Sequence, residues 1–382
     1  MNRVYISGFS FDCALGEDAG NLRSAASEPV QPDSIDFVAD GEPVNAAYYR
    51  AFTSRLLSEA ETFEIIERHI LAAVEMAGWC ENDISTLPIF FGSTSYLISQ
   101  QEIELRQSEA QARSEVCHHQ PFSLNLIADW LAKRFNNRHS MSFATSCTSS
   151  ANALLYAKKM LDLNLSERAV VIGFESFNSV TVQGFHGLGL LAEHRCQPFS
   201  ALGSGLVLGE GIACLALSKA RSHDVRRELT LAGGATCGDT YNITATSPDG
   251  DQVAQVICAA LSDAAIESND IKAVKAHATG SPANDSAEQR GILQQFSPSP
   301  PIIALKPFIG HTLGACGVLE GALMCRWFLD GSLPALPYPV DHCAEPALNI
   351  LQNGALLEDG YYLFNYLGFG GNNTVLVMGV GV

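Results

Sequence analysis

Residues 142–157 and 305–329 repeat one design, and that repetition narrows the folds open to this chain. In each, a short apolar stretch runs into a turn of small residues, and a long helix rich in small residues follows. The first runs from Ser142 to Ala157 with Cys147 in its turn. The second runs from Leu305 through Gly310-His311-Thr312-Leu313-Gly314 to Leu329. A pair of apolar strands closes each half: Ala169 to Gly173 with Ile212 to Leu217, then Tyr361 to Asn365 with Thr374 to Gly379. The duplication is one of element order rather than of residue identity. Alternating strands and helices predict an α/β fold with helices on mainly mixed or parallel sheets. Ala169 to Gly173 is apolar without alternation, as in a strand buried on both faces. The charged stretch 218–228 is the expected junction of two halves, 1–226 and 227–382, fused on one core.

Elsewhere the pattern predicts a strand within residues 1–10 and a helix from Ser58 to Gly78, with Ile66, Ile70, Ala73 and Val74 on one face at helical spacing. Residues 17–55, with Pro29, Pro32 and Pro43, read as a long surface connection. Residues 97–116 read as a polar helix, and another element begins at Pro121. The 382 residues are 47% hydrophobic and 17% charged, enough for a large core. A net charge of −18 excludes nucleic-acid binding through bulk charge. No apolar run reaches membrane-span length, and no leader is read before Val4-Tyr5-Ile6. The eleven cysteines are odd in number and lack a framework spacing, so free thiols in a reducing cytoplasm are expected. Cys117-His118-His119 lacks partner ligands at zinc-type spacing and reads as a loop.

Three segments hold a reactive side chain among small neighbours. Cys147 stands just before a helix, whose positive end favours thiolate. His277 lies in Lys275-Ala276-His277-Ala278-Thr279-Gly280-Ser281, and His311 follows Lys306 and Gly310. A thiol with two imidazoles suits acyl chemistry: the thiolate attacks a thioester, and the imidazoles donate to a developing oxyanion or enolate. In a fourth segment, Asn365 to Asn373, glycines would let a backbone N–H approach a ligand.

Together these segments resemble the elongating β-ketoacyl-[acyl-carrier-protein] synthases. Ser146-Cys147-Thr148-Ser149-Ser150 is similar to that family's nucleophile segment. His277-Ala278-Thr279-Gly280-Ser281, with Asp285 and Glu288, resembles its His-Gly-Thr-Gly-Thr block, and Lys306 with Gly310-His311 its Lys-x-x-x-Gly-His block. Gly368-Phe369-Gly370-Gly371 matches its closing loop. The resemblance implies a thiolase-like fold, a duplicated five-layered α-β-α-β-α sandwich. It implies Cys147 as the acyl-accepting nucleophile, with His277 and His311 driving malonyl decarboxylation. Backbone N–H groups of Cys147 and Phe369 would form an oxyanion hole, with Phe369 also a gate. Lys306 and Glu288 would hold the polar network that keeps the histidines in place, with Thr279 a further supporting residue.

It further implies acyl carrier protein as partner, substrates on its phosphopantetheine arm, no metal or other cofactor, and a homodimer or a heterodimer with a related ketosynthase subunit. The product would be a fatty acid or a specialised chain of aryl polyene or polyketide type. The alternative is a non-catalytic chain-length-determining subunit, against which Cys147, His277 and His311 argue. Ala278 stands for a usual Gly, Ser281 for Thr, Pro307 for Ser after the lysine, and Ser200 or Ser204 for Asp. An acidic carrier would need a basic patch, for which Lys133, Arg134, Arg138, Lys158 and Lys159 are candidates.

Overall fold

The computed structural model describes residues 3–17, 30–39, 41–110, 123–221, 227–338 and 348–382. In chain order the first half contains β1 (Tyr5–Cys13), β2 (Asp33–Ala39), β3 (Glu42–Tyr49), α1 (Glu59–Met76), β4 (Ile89–Gly92), α2 (Ile98–Ala110) and α3 (Leu126–Arg134). It continues with β5 (Ser140–Phe143), α4 (Ser149–Asp162), β6 (Arg168–Glu175), α5 (Ser179–Gly187), β7 (Leu208–Gly209) and β8 (Gly211–Ser218). The second half contains β9 (Leu229–Gly238), α6 (Asp251–Ala264), β10 (Ile271–Lys275), α7 (Pro282–Gln295), β11 (Ile302–Ile303), α8 (Lys306–Ile309) and α9 (Cys316–Asp330). A short ladder of β12 (Ser332–Leu333) and β13 (Ala355–Leu356) precedes β14 (Gly360–Gly368) and β15 (Asn372–Val380).

Ten strands pair in the order β11-β10-β14-β15-β9-β1-β8-β6-β4-β5. Outward from the centre, β1, β8, β6, β4 and β5 mirror β9, β15, β14, β10 and β11, with the same parallel and antiparallel pairings. The two five-stranded sheets meet where Tyr5 pairs with Thr230. Side chains alternate across each pleat, so both faces must be covered. Phe90, Val171 and Leu215 turn inward against α4 and α9, which also receive Leu231, Phe364 and Leu376 from the second sheet. Phe91, Val170 and Ile172 turn outward to α1 and α3. Val274, Leu363 and Val375 turn outward to α6 and α7. The result is five layers with the helix pair α4/α9 at the centre.

Helix α1 begins as its sequence dictates, with Ser58 and Glu61 in a reciprocal capping box. Residues 17–55 differ from expectation. Within the described part of that stretch, β2 and β3 form a hairpin joined by a two-residue turn, Ala39 pairing with Glu42. β3 extends to β7. Ile35, Phe37 and Tyr48 from this hairpin are buried in one apolar cluster with Cys147 and Phe177, so the described part of the stretch is not a surface connection. The polar helix predicted over 97–116 is described from Ile98 to Ala110; Cys117-His118-His119 and Pro121 lie outside the described residues. Among the described residues no helix is long and apolar enough to cross a membrane.

Candidate active site

Cys147, His277, Thr279, His311 and Phe369 line one cavity of about 210 Å³. Cys147 comes from the turn between β5 and α4. Ser146 adopts φ +55° there, and Ser149 Oγ accepts from Thr145 N–H and donates to Ser146 C=O, bending the chain into the helix. His277 follows β10, with Ala278 at φ +50° beside it, and Leu313 at φ +43° follows His311. Non-glycine residues in the left-handed region each cost of order 1–2 kcal/mol, so three strained positions adjoin the three candidate reactive side chains. Ala278 is therefore not a neutral replacement for glycine: its methyl is carried at a position glycine would occupy without strain.

The ring nitrogens of both histidines are assigned by their partners. Lys306 Nζ lies 3.4 Å from His277 Nδ1 and 2.6 Å from His277 C=O. An ammonium can only donate, so Nδ1 accepts and Nε2 carries the proton. His311 Nδ1 receives Leu313 N–H at 3.3 Å, with the Cys316 thiol also 3.3 Å away, and is likewise an acceptor. The rings are edge to face with centroids 5.2 Å apart. Burial first, then the Lys306 and Lys275 ammoniums, hold both imidazoles well below their ordinary pKa; His311 adds to this at His277. Two neutral Nε2–H donors thus belong to the cavity that holds Cys147.

Burial pushes the Cys147 thiol up to about 12, against which Lys306 and the backbone N–H groups of Phe369 and Cys147 pull it down. The thiolate expected from the helix terminus is not the resting form, because desolvation outweighs those attractions. The same two N–H groups face the sulfur from opposite halves of the chain. Phe369 stacks on Phe185 with centroids 5.6 Å apart. The loop behind it turns at Gly371, φ +75°, where a Cβ would stand 1.7 Å from Asp239 C=O. Asn152 on α4 donates to Asn372 at 2.7 Å and accepts from Thr374 at 2.8 Å, clasping this loop to the helix that follows Cys147.

Glu288 is fully buried and accepts His277 N–H at 2.6 Å, Ala278 N–H at 2.8 Å and Asn365 Nδ2 at 2.7 Å. It holds the strained turn rather than an imidazole. Lys306 opens α8, where Pro307 falls in the first turn and its missing N–H costs no helical bond. Thr279 carries the loop that Asp285 pins by accepting Gly280 N–H and Phe199 N–H.

Sequence reasoning missed Glu320, Lys275 and Glu175 as members of this network. Glu320 on α9 bridges Lys306 at 2.9 Å and Lys275 at 2.5 Å. Glu175 at the end of β6 accepts Thr94, Ser95 and Gly314 N–H groups, tying the two halves below His311. Glu320 is the one charge within an otherwise apolar helical run, Gly317 to Cys325, which is the signal that could have found it. Of the basic candidates, Lys158 pairs with Asp162, Lys159 with Asp263, and Arg134 with Glu67 and Glu81, so these three are already neutralised. Among the described residues one group with metal-ligand potential exists, Asp12, Glu17 and His69. It lines no part of this cavity, and Glu17 is paired with Arg68.

Comparison with known proteins gives a consistent result. A family model of the beta-ketoacyl synthase N-terminal domain matches residues 55–223, and one of the C-terminal domain matches residues 230–337. The chain is 30% identical over 246 residues to 3-oxoacyl-[acyl-carrier-protein] synthase 2 of Staphylococcus aureus, covering 61% of each. It is 29% identical over 216 residues to a putative polyketide beta-ketoacyl synthase of Streptomyces cyaneus, covering 53% of this chain and 51% of that protein. The match therefore spans less than two thirds of these relatives' own length. Among solved structures, a ketosynthase in complex with its chain length factor from Xenorhabdus doucetiae superposes with TM-score 0.85 at 23% identity, covering 99% of this chain and 98% of that one. The ishigamide ketosynthase/chain length factor gives TM-score 0.82 at 22% identity, with 99% of each chain covered.

Proposed function

The chain belongs to the beta-ketoacyl synthase family and has the thiolase-like fold, and from that premise we propose that it condenses an acyl group held on Cys147 with a malonyl group delivered by acyl carrier protein. The observation that carries this reading is the meeting of one thiol and two tautomer-locked Nε2–H donors in a single cavity. The two halves, 1–226 and 227–382, divide the work: the first supplies the nucleophile and the second the donors.

The Cys147 sulfur forms a bond to the acyl carbonyl carbon, and the carrier's thioester C–S bond breaks. The Cys147 proton leaves with the released pantetheine thiol. Oxyanion charge falls on the backbone N–H groups of Cys147 and Phe369. Malonyl thioester then enters. Its C–C bond to the carboxylate breaks, carbon dioxide departs, and the electron pair forms an enolate. His277 and His311 donate Nε2–H bonds to the enolate oxygen, so no strong base is needed. The enolate carbon attacks the acyl-Cys147 carbonyl, and the expelled sulfur takes a proton from solvent. Donors fixed before the charge develops need no reorganisation, which is the usual source of such catalysis. Lys306, Glu288 and Glu320 act by holding His277, and Thr279 lines the same cavity.

The reading takes a carrier protein as partner and, by analogy with neighbours solved as ketosynthase/chain length factor pairs, a second ketosynthase chain of the same or a related kind. The buried, unpaired thiols suit a reducing cytoplasm. A non-catalytic, chain-length-determining role is the competing reading, and it predicts no turnover without a second synthase. Condensation of a panel of acyl-carrier proteins with malonyl-carrier protein, with and without candidate partner chains, separates the two. Product formed by this chain and lost in Cys147→Ala supports condensation. Product that survives Cys147→Ala in a mixed dimer supports the partner role.

A further inference from the structure

We propose that Lys275 is a positioning residue of this site, its ammonium closing a buried ring of charges that keeps His277 a neutral Nε2–H donor. The consequence for catalysis rests on the condensing reading; the geometry does not. The ring can be followed contact by contact. Lys306 Nζ donates to His277 C=O at 2.6 Å and to Glu320 Oε1 at 2.9 Å. Glu320 Oε2 meets Lys275 Nζ at 2.5 Å, and Lys275 Nζ donates to Asn365 C=O at 3.0 Å. Asn365 Nδ2 donates to Glu288 Oε1, and Glu288 receives the backbone N–H groups of His277 and Ala278. The path returns to the residue it left.

Two carboxyl groups and two amino groups make up the ring: burial lowers Lys275 and raises Glu288, while against the cost of burial Lys275 and Lys306 hold Glu320 below its ordinary range. Lys275, 1% exposed, lies 3.7 Å from the centroid of the Tyr366 ring, the aromatic face taking the place of water on that side. An apolar side chain would fill such a place without the desolvation that a lysine brings, so packing alone does not account for it. Its removal leaves one uncompensated negative charge beneath His277. Glu320 then draws Lys306 with both oxygens, away from His277 Nδ1. The charged or titratable groups around His277 are Lys306, Lys275 and His311, with Glu288 beneath its backbone and Cys147 across the cavity. Loss of Lys275 therefore favours a proton on His277 and costs it the fixed orientation of its Nε2–H.

The test is nitrogen-15 NMR of the histidines in the full chain, read against pH without substrate, for the wild type, Lys275→Met and Lys275→Gln. The wild type gives the neutral Nε2–H pattern for His277 well below the pH at which an ordinary imidazole takes up a proton, because burial and the neighbouring ammoniums disfavour a further positive charge. Both variants raise its protonation midpoint by about one pH unit or more. Lys275→Gln keeps hydrogen-bond donors but not the charge, so it decides the matter should Lys275→Met fail to fold. Lys275→Arg returns the midpoint toward the wild type. In turnover, malonyl decarboxylation falls about tenfold or more in Lys275→Met, a larger loss than in acylation of Cys147. His277 titrating alike in the wild type and both uncharged variants overturns the proposal. A chain without condensing activity leaves the NMR readout intact, so the two failures are distinguishable.

Discussion

Gly317→Ala tests whether the contact between the two central helices sets the site. Gly317 is the second residue of α9, six residues after His311, and faces Ala151 on α4, four residues after Cys147. A Cβ at Gly317 would stand 2.1 Å from Ala151 N and 2.4 Å from its Cα. Those atoms are backbone and cannot rotate away, and Ser150 Oγ already accepts Val318 N–H at 3.2 Å across the same contact. Ordinary contact begins at 3.4 Å, so the helices must part by about 1.3 Å or more, an overpacking cost of about 1–3 kcal/mol. The same displacement moves Cys147 relative to His311, and a misplacement of about 1 Å lowers a rate about 100-fold. Condensation rate and thermal midpoint of the purified variant measure both effects. Gly184→Ala on α5 is the control, since nothing lies within 4 Å of the added Cβ. It should leave stability equal or about 0.5–1 kcal/mol higher. Wild-type condensation and midpoint in Gly317→Ala would refute the reasoning.

Four further outcomes follow. With its pKa near 12, Cys147 should be alkylated faster by about one decade per pH unit through about pH 10, as the thiolate fraction rises; a plateau near pH 8, read by peptide mass mapping, would mean the helix terminus prevails over burial. His311→Ala should still accept an acyl group on Cys147 but condense poorly, and normal condensation would remove His311 from the mechanism. Glu288→Gln sets an amide donor against one of three N–H donors and should cost about 2–4 kcal/mol, visible in denaturant titration, with decarboxylation falling more than acylation. Burial holds His69 down at about 4, so the native state binds fewer protons than the unfolded chain. Stability should thus be intact above about pH 6.5 and fall by up to about 3 kcal/mol toward pH 4, a slope that His69→Gln removes.

The meeting of Cys147, His277 and His311 in one cavity was legible because each is a reactive group in a turn of small residues at the end of an apolar segment. The duplicated strand order was legible for a related reason: buried strands must be apolar on both faces. The hairpin β2–β3 was not read, although Ile35 and Phe37 alternate with polar residues and Asp40-Gly41 is a hairpin signal; the nearby prolines masked it. The thiol's resting state was misjudged because a helix terminus shows in sequence and desolvation does not. Lys275 and Glu320 escaped because a charge in sequence carries no mark of its partner, and theirs lie 45 residues apart in the chain. The pairing of three of the five basic candidates went unread for the converse reason: Lys159 and Asp263, for one, meet only across the fold.

The central claim is that acyl transfer ends on Cys147 while the second half's histidines serve the later step. Intact mass after incubation with acyl-carrier protein, followed by peptide mapping, reads it directly. One acyl group on the Cys147 peptide is expected in the wild type and in His311→Ala, and none in Cys147→Ala. An adduct that persists on Cys147→Ala would contradict the account.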